Sequence, residues 1–237
     1  MKRINDSKLL EYYMKKYDIR SFFSMDSRGD DIVRSMLLLA YDKGECICKA
    51  GEPMEYFFFN VKGKLKVYTL MEDGKSLLLR FNKPLSILGD VELFSTLKTR
   101  CNVESLAEAH VIAIPMETVR AKAFDDPTFL KFAAQSLSYR LYTISNATSL
   151  NLLYPLSKRF ASYVISITFD ESDIKRINEI KTSSMTELAT LLGTSYRHLN
   201  RTIREFIDDG IIKRENGRII ILDYAKLKEK AGGHLYE

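Results

Sequence analysis

Arg197, Arg201 and Arg204 recur at steps of four and three, within GTSYRHLNRTIREFIDDG (residues 193–210). On a helix that spacing puts all three on one face, and it puts Leu199, Ile203 and Phe206 on another. A guanidinium is a planar fork of donors that pairs with guanine O6 and N7 or with a phosphate. A solvated charged face would have the same spacing, so the neighbouring elements decide the reading.

Those elements are well punctuated. Ser184 to Glu187 is a capping box, opening a helix whose apolar side is Leu188, Leu191 and Leu192. Ala189 is small enough to let another helix cross closely. Gly193 suits the left-handed residue that ends a helix, and Thr194 or Ser195 caps the next one. Asp208-Asp209-Gly210 closes that second helix, and Ile211-Ile212 and Ile219–Leu222 flank the hairpin turn Glu215-Asn216-Gly217-Arg218. Helix, glycine turn, helix and hairpin in this order make a winged helix-turn-helix, whose second helix enters the major groove of double-stranded DNA. Ser195, Tyr196, Arg197 and His198 then form the turn aimed at base edges. Asn200 can pair with adenine, Arg201 can read a base or a phosphate, and Arg204 suits a phosphate.

Upstream, short strand-like runs alternate with turn signals: residues 56–61, 64–70, 77–81 and 110–115, in which Leu65, Val67 and Thr69 share a side. Asp125-Asp126-Pro127 starts a helix with aspartate as N-cap and proline at N1. Leu130, Ala134, Leu137, Leu141, Ile144 and Thr148 then follow an a/d pattern, the seam of a homodimer. Pro155 breaks that helix, and Leu156, Phe160 and Val164 line a second one. The expected domains are an N-terminal helix and β-roll (1–124), a dimerisation helix (125–154) and a winged helix-turn-helix (155–237).

Bulk charge contributes little. The 237 residues carry 36 Lys+Arg and 31 Asp+Glu, a net charge of +5. The segment from Leu156 onward has 14 basic and 12 acidic residues, a net of only +2, so any basic surface arises from local arrangement. No run is long and apolar enough for a membrane span, and the N-terminus lacks a signal-peptide core, so a cytoplasmic protein with no membrane partner is expected. No P-loop, G-x-S-x-G elbow or H-E-x-x-H motif is present, so the chain is not expected to be an enzyme. His110 and His234 have no ligand spacing with the cysteines, so no metal is expected.

The motifs KGECICKAGEPMEYFFFNVKGKLKVY, LGDVELF with TRCNVES, and MTELATLLGTSYRHLNRTIREFIDDGIIKRENGRIII resemble the cyclic-AMP receptor protein and fumarate-nitrate regulator (CRP/FNR) superfamily across nearly the whole chain. SYRHL and FIDDGII are most similar to its YeiL-like subgroup. The resemblance implies an α+β chain: an N-terminal cyclic-nucleotide-binding-like β-roll (jelly-roll), a long dimerisation helix and a C-terminal winged helix-turn-helix. It implies a dimeric transcription regulator on a palindromic operator, controlled by a signal in the roll, with RNA polymerase as a further partner. The alternative is a ligand- or redox-sensing module whose C-terminal domain contacts protein.

Members that bind cyclic nucleotides carry a G-E-L-[AG]-L cassette with Arg-Ser or Arg-Thr about ten residues on. Here Gly89 keeps the glycine, Asp90 replaces the glutamate and Glu92 stands where a small residue is expected. Arg100 matches the phosphate-pairing arginine, and Cys101 replaces the hydroxyl residue. Glu92 adds like charge beside any phosphate, and a thiol is a weak donor. A cyclic nucleotide is therefore not expected, and no other cofactor is implied. Cys46, Cys48 and Cys101 offer a redox route instead, although they lack the four-cysteine arrangement of an iron–sulfur member.

Overall fold

The computed structural model describes residues 1–70, 74, 76–95, 98–168, 179–181, 185–215 and 218–236. Ser184 of the capping box and the hairpin tip Asn216-Gly217 lie outside them. The chain forms two compact units, residues 1–67 with 82–142 and residues 68–81 with 143–237.

Before the roll come β1 (Lys2–Arg3), α1 (Ser7–Lys16), a 3-10 turn (Ile19–Phe22) and α2 (Ser27–Arg34). Tyr13 of α1 is buried, and its hydroxyl lies 3.0 Å from His110 Nδ1. Tyr12, one residue earlier, is exposed. The roll comprises β2 (Leu37–Tyr41), β3 (Cys46–Cys48), β4 (Tyr56–Lys62), β5 (Leu65–Leu70), β6 (Ser76–Asn82), β7 (Ile87–Leu88), β8 (Asn102–Ser105) and β9 (Ala109–Pro115). One sheet runs β1-β2-β9-β4-β7 and another β3-β8-β5-β6. Antiparallel β4 pairs with β9, setting Phe58 opposite Ala113 and Phe59 opposite Ile112. The β4 run is buried on both faces, which is why it reads as a continuous bulky stretch.

The alternation expected in β5 has one exception. Lys66 is buried beside Leu65 and Val67, and its ammonium pairs with Glu104 of β8 at 3.2 Å. A buried lysine persists where a carboxylate compensates its lost hydration.

The short helices α3 (Asp90–Leu93) and α4 (Met116–Lys122) precede α5 (Pro127–Leu153). Asp126 caps α5: its carboxylate accepts from Thr128 N at 2.9 Å and from Ser24 N at 2.7 Å. The first turns of α5 bury Phe129 and Ala133 against the roll. Phe22 stacks on Phe132 at 4.0 Å between centroids, Phe23 on Phe129 at 5.4 Å, and Phe57 meets Phe129 edge-on at 5.6 Å.

The second unit contains α6 (Leu156–Thr168), β10 (Glu179–Lys181), α7 (Met185–Leu191), α8 (Tyr196–Asp208), β11 (Ile212–Glu215), β12 (Arg218–Ile221) and α9 (Tyr224–Ala231). Leu156, Phe160 and Val164 are all buried, and Phe160 meets Phe206 edge-on at 5.2 Å. The wing is a three-stranded sheet, β10-β12-β11, with β10 pairing Ile180 opposite Ile219.

The cap at Asp126 yields a test. Burial pushes its carboxyl pKa up, but hydrogen bonds from the amides of Ser24, Thr128 and Phe129 outweigh this and hold it below the ordinary aspartate value. A lowered folded-state pKa means the contribution is present above the ordinary value of about 3.9 and is lost as pH falls through the folded value. Asp126→Ala is expected to cost about 2 kcal/mol in urea unfolding at neutral pH. Asp126→Asn is expected to flatten the fall in stability below about pH 4.

Candidate nucleic-acid interface and sensor cassette

Helix α7 presents Leu188, Ala189 and Leu191 inward, with Leu192 just beyond it also buried. Gly193 then adopts φ +60°, donating its N–H to Thr190 O, while Thr194 N–H reaches Ala189 O, both at 2.9 Å. This pair of bonds ends the helix and turns the chain sharply. Of the two candidate caps, Ser195 holds the position, its hydroxyl accepting from His198 N at 3.2 Å. Arg159 of α6 donates to the Leu192 carbonyl at the end of α7. The reading of the sequence did not find this role; its only trace is an arginine among the apolar positions of α6.

Helix α8 separates its two faces as the spacing predicts. Leu199, Thr202, Ile203 and Phe206 are buried, while Tyr196, Arg197, His198, Arg201 and Arg204 are exposed. Asn200 is half-buried, and its amide donates to Tyr196 O at 3.2 Å, a bond that a base contact would have to replace. Arg201 Nε lies 3.8 Å from Glu205 Oε1 on the exposed side, an arrangement worth little in solvent. Thr194 Oγ1 and His198 Nδ1 lie 3.4 Å apart. On the wing, Lys213 and Arg214 are exposed, with Lys213 paired to Glu215 at 2.9 Å.

The cassette residues are distributed differently. Gly89 holds φ +93°, and a Cβ there would meet Met116 Cε at 3.0 Å and Tyr56 O at 3.2 Å, so glycine is required. Asp90 is fully buried, and its carboxylate meets Arg140 of α5 at 2.5 Å. Arg140 also donates to Ile87 O at 3.2 Å, and its side chain is 17% exposed. The guanidinium facing Asp90 therefore comes from the long helix, whereas Arg100 is exposed. Glu92 is half-buried, and its pKa is raised chiefly by burial, with the Asp90 charge adding to the rise and Arg140 opposing it. In hindsight Arg140 leaves a trace in the sequence: α5 carries only Lys131 and Arg140 as charged residues in 27 positions.

None of the three cysteines forms a disulfide. Cys48 is buried, and burial pushes its pKa well up; Cys46 is raised for the same reason. Cys46 Sγ donates to Cys48 O, and Cys48 Sγ lies 3.8 Å from Met54 Sδ. Cys46 pairs with Glu104 and Cys48 with Val103, and the register shifts between the two, an irregularity of the ladder at this point. Cys101 is half-buried. Among the described residues no group of three or more His, Cys, Asp or Glu is placed to hold a metal, and no helix is long and apolar enough to cross a membrane.

The expected seam lies on one side of α5. Ala134, Leu141 and Thr148 are exposed and Leu130, Leu137 and Ile144 half-buried, with Leu141 72% exposed.

A capped helix that presents cations behind a glycine turn and beside a wing defines a DNA-binding transcription regulator. Comparison with known proteins places it further. Residues 38–126 match the cyclic nucleotide-binding domain, and residues 158–230 match the Crp-like helix-turn-helix domain. The regulatory protein YeiL of Escherichia coli O157:H7 is 25% identical over 191 residues, covering 80% of this chain and 84% of that protein. A CRP-like cAMP-activated global transcriptional regulator of Mycobacterium tuberculosis is 20% identical, covering 81% and 86%. Among solved structures, a protein from Eubacterium rectale assigned to the crp/fnr family superposes with a TM-score of 0.78 at 18% identity, covering 94% of this chain and all of that one. The chain belongs to the CRP/FNR superfamily of transcription regulators.

The buried Asp90–Arg140 pair is testable by a double-mutant cycle. Arg140→Met leaves a buried carboxylate uncompensated and is expected to cost about 3–5 kcal/mol. Adding Asp90→Asn should recover a large part of that loss in the same unfolding measurement. Losses that simply add would mean the two groups do not interact.

Proposed function

We propose that this regulator acts as a homodimer in the cytoplasm, placing two α8 helices in successive major grooves of a palindromic operator. The observation that carries the reading is the exposed cationic face of α8, Arg197, Arg201 and Arg204, above a fully buried apolar face. In this reading Arg197 reads a base edge with Tyr196, His198 and Ser195 beside it, and Arg201 reads a base or a phosphate. Asn200 gives up its bond to Tyr196 O to pair with adenine. Arg204 and the wing cations grip phosphates. The side of α5 that carries Leu130, Ala134, Leu137, Leu141, Ile144 and Thr148, half-buried or exposed, forms the dimer seam, in keeping with its a/d spacing.

The working division is a sensor over 1–124, a dimerisation helix over 125–154 and a DNA-binding domain over 155–237. A signal in the roll shifts the population of dimer arrangements and so the spacing of the two α8 helices. RNA polymerase is the partner through which bound dimer acts on transcription, and no enzymatic step is assigned. The cAMP dependence named for the mycobacterial relative is not expected here, because Arg140 occupies Asp90 while Arg100 is exposed and Glu92 and Cys101 are poor company for a phosphate. The raised thiol pKa values of Cys46 and Cys48 also weigh against the redox route, since the thiolate is the reactive form.

The experiment is anisotropy binding to duplexes selected from a random pool. Arg197→Ala is expected to cost about ten-fold or more in affinity and to relax preference at one base position. Arg204→Ala is expected to weaken all duplexes alike and to reduce the salt slope by about one. Unchanged binding in both variants would instead favour a protein-contacting C-terminal domain. For the seam, Leu141→Lys is expected to shift the mass measured by light scattering from dimer to monomer with little change in the melting of each unit.

A further inference from the structure

A cleft of about 860 Å³ opens in the first unit, walled by Met54, Leu93, Phe94 and Phe124, with Lys98 and Arg120 also lining it. Its size falls in the range of small-molecule sites. Phe94 and Phe124 are 40% and 43% exposed, and their rings sit 5.7 Å apart at 40°. Two adjacent phenylalanines left open to water form an apolar surface suited to burial by an occupant.

The polar part of the lining holds two cations, Arg120 and Lys98, together with Glu92 and Ser95. Arg120 Nη2 donates to the Glu92 carbonyl at 3.0 Å, which orients the guanidinium without exhausting its five donors. Lys98 adds a second cation. Glu92 also lines the cleft, half-buried, and its backbone carbonyl takes the Arg120 bond, so the two cations outnumber the one carboxyl there. An apolar pair of rings beside two cations matches a ligand with an apolar body and an anionic head.

We propose that this cleft binds a small amphipathic carboxylate, its apolar body against Phe94 and Phe124 and its carboxylate between Arg120 and Lys98. The short helix α3 gives the occupant a route to the rest of the sensor. Leu93 walls the cleft, and Asp90 at the other end of the same helix grips Arg140 of α5. The site shares Glu92 with the cassette but not Gly89, Asp90, Arg100 or Cys101, and it does not rest on the DNA-binding reading.

The test is a fluorescence titration of the full chain with 1-anilinonaphthalene-8-sulfonate, an aromatic anion, with octanoate and octanol as competitors. One saturable dye site is expected, with octanoate displacing the dye about ten-fold better than octanol. Arg120→Gln and Lys98→Gln are each expected to weaken octanoate about five- to ten-fold and to leave octanol unchanged. Phe124→Ser should weaken both competitors. All three side chains reach the surface, and melting curves check that the variants fold. The absence of saturable binding would overturn the proposal. So would equal displacement by octanol, or dye binding that none of the three variants changes, which would place the dye elsewhere, as on the exposed side of α5. Every readout is on the ligand, so the outcome is independent of whether the C-terminal domain binds DNA.

Discussion

The stack of Phe22 on Phe132 and Phe23 on Phe129 sets the rotation of α5 about its own axis. Rings at 4.0–5.4 Å cannot turn past one another without opening the core they fill. With Phe129 and Ala133 facing inward, the same helical face one heptad on brings Arg140 to the roll. The neighbouring face, one residue further along, carries Leu130, Ala134, Leu137 and Leu141, which are left half-buried or exposed. One packing decision therefore sends a cation inward to Asp90 and leaves an apolar stripe half-buried or exposed along the neighbouring face.

That rotation gives the cassette its chemistry. A carboxylate buried without compensation is costly, so Asp90 at the start of α3 needs a cation from some element. The element is α5 and not the segment before β8 that carries Arg100. Arg140 ties the long helix to the roll through the Asp90 carboxylate and the Ile87 carbonyl.

In the second unit the corresponding constraint is the turn at Gly193. Its left-handed backbone and the two bonds to Thr190 and Ala189 set the angle between α7 and α8. Arg159 adds a bond to the Leu192 carbonyl, where α7 gives way to the turn. With Ser195 capping α8 and Leu199, Ile203 and Phe206 in the core, the arginines have no inward place to go. Their exposure follows from the burial of the opposite face.

Local signals in the sequence were enough for much of this. Asp126-Pro127 as the start of α5, Gly193 as the end of α7, and the split between Leu199, Ile203 and Phe206 and the arginines of α8 depend on neighbours within a few residues. The resemblance of the motifs to CRP/FNR members added the order of the domains. Tertiary structure alone decided which cation meets Asp90, why Lys66 is buried with Glu104, that β10 completes the wing and that the register shifts between Cys46 and Cys48. Each of these joins positions distant in the chain or depends on strand register. Periodicity assigns a residue to a face, but it carries no information about what the fold brings against that face.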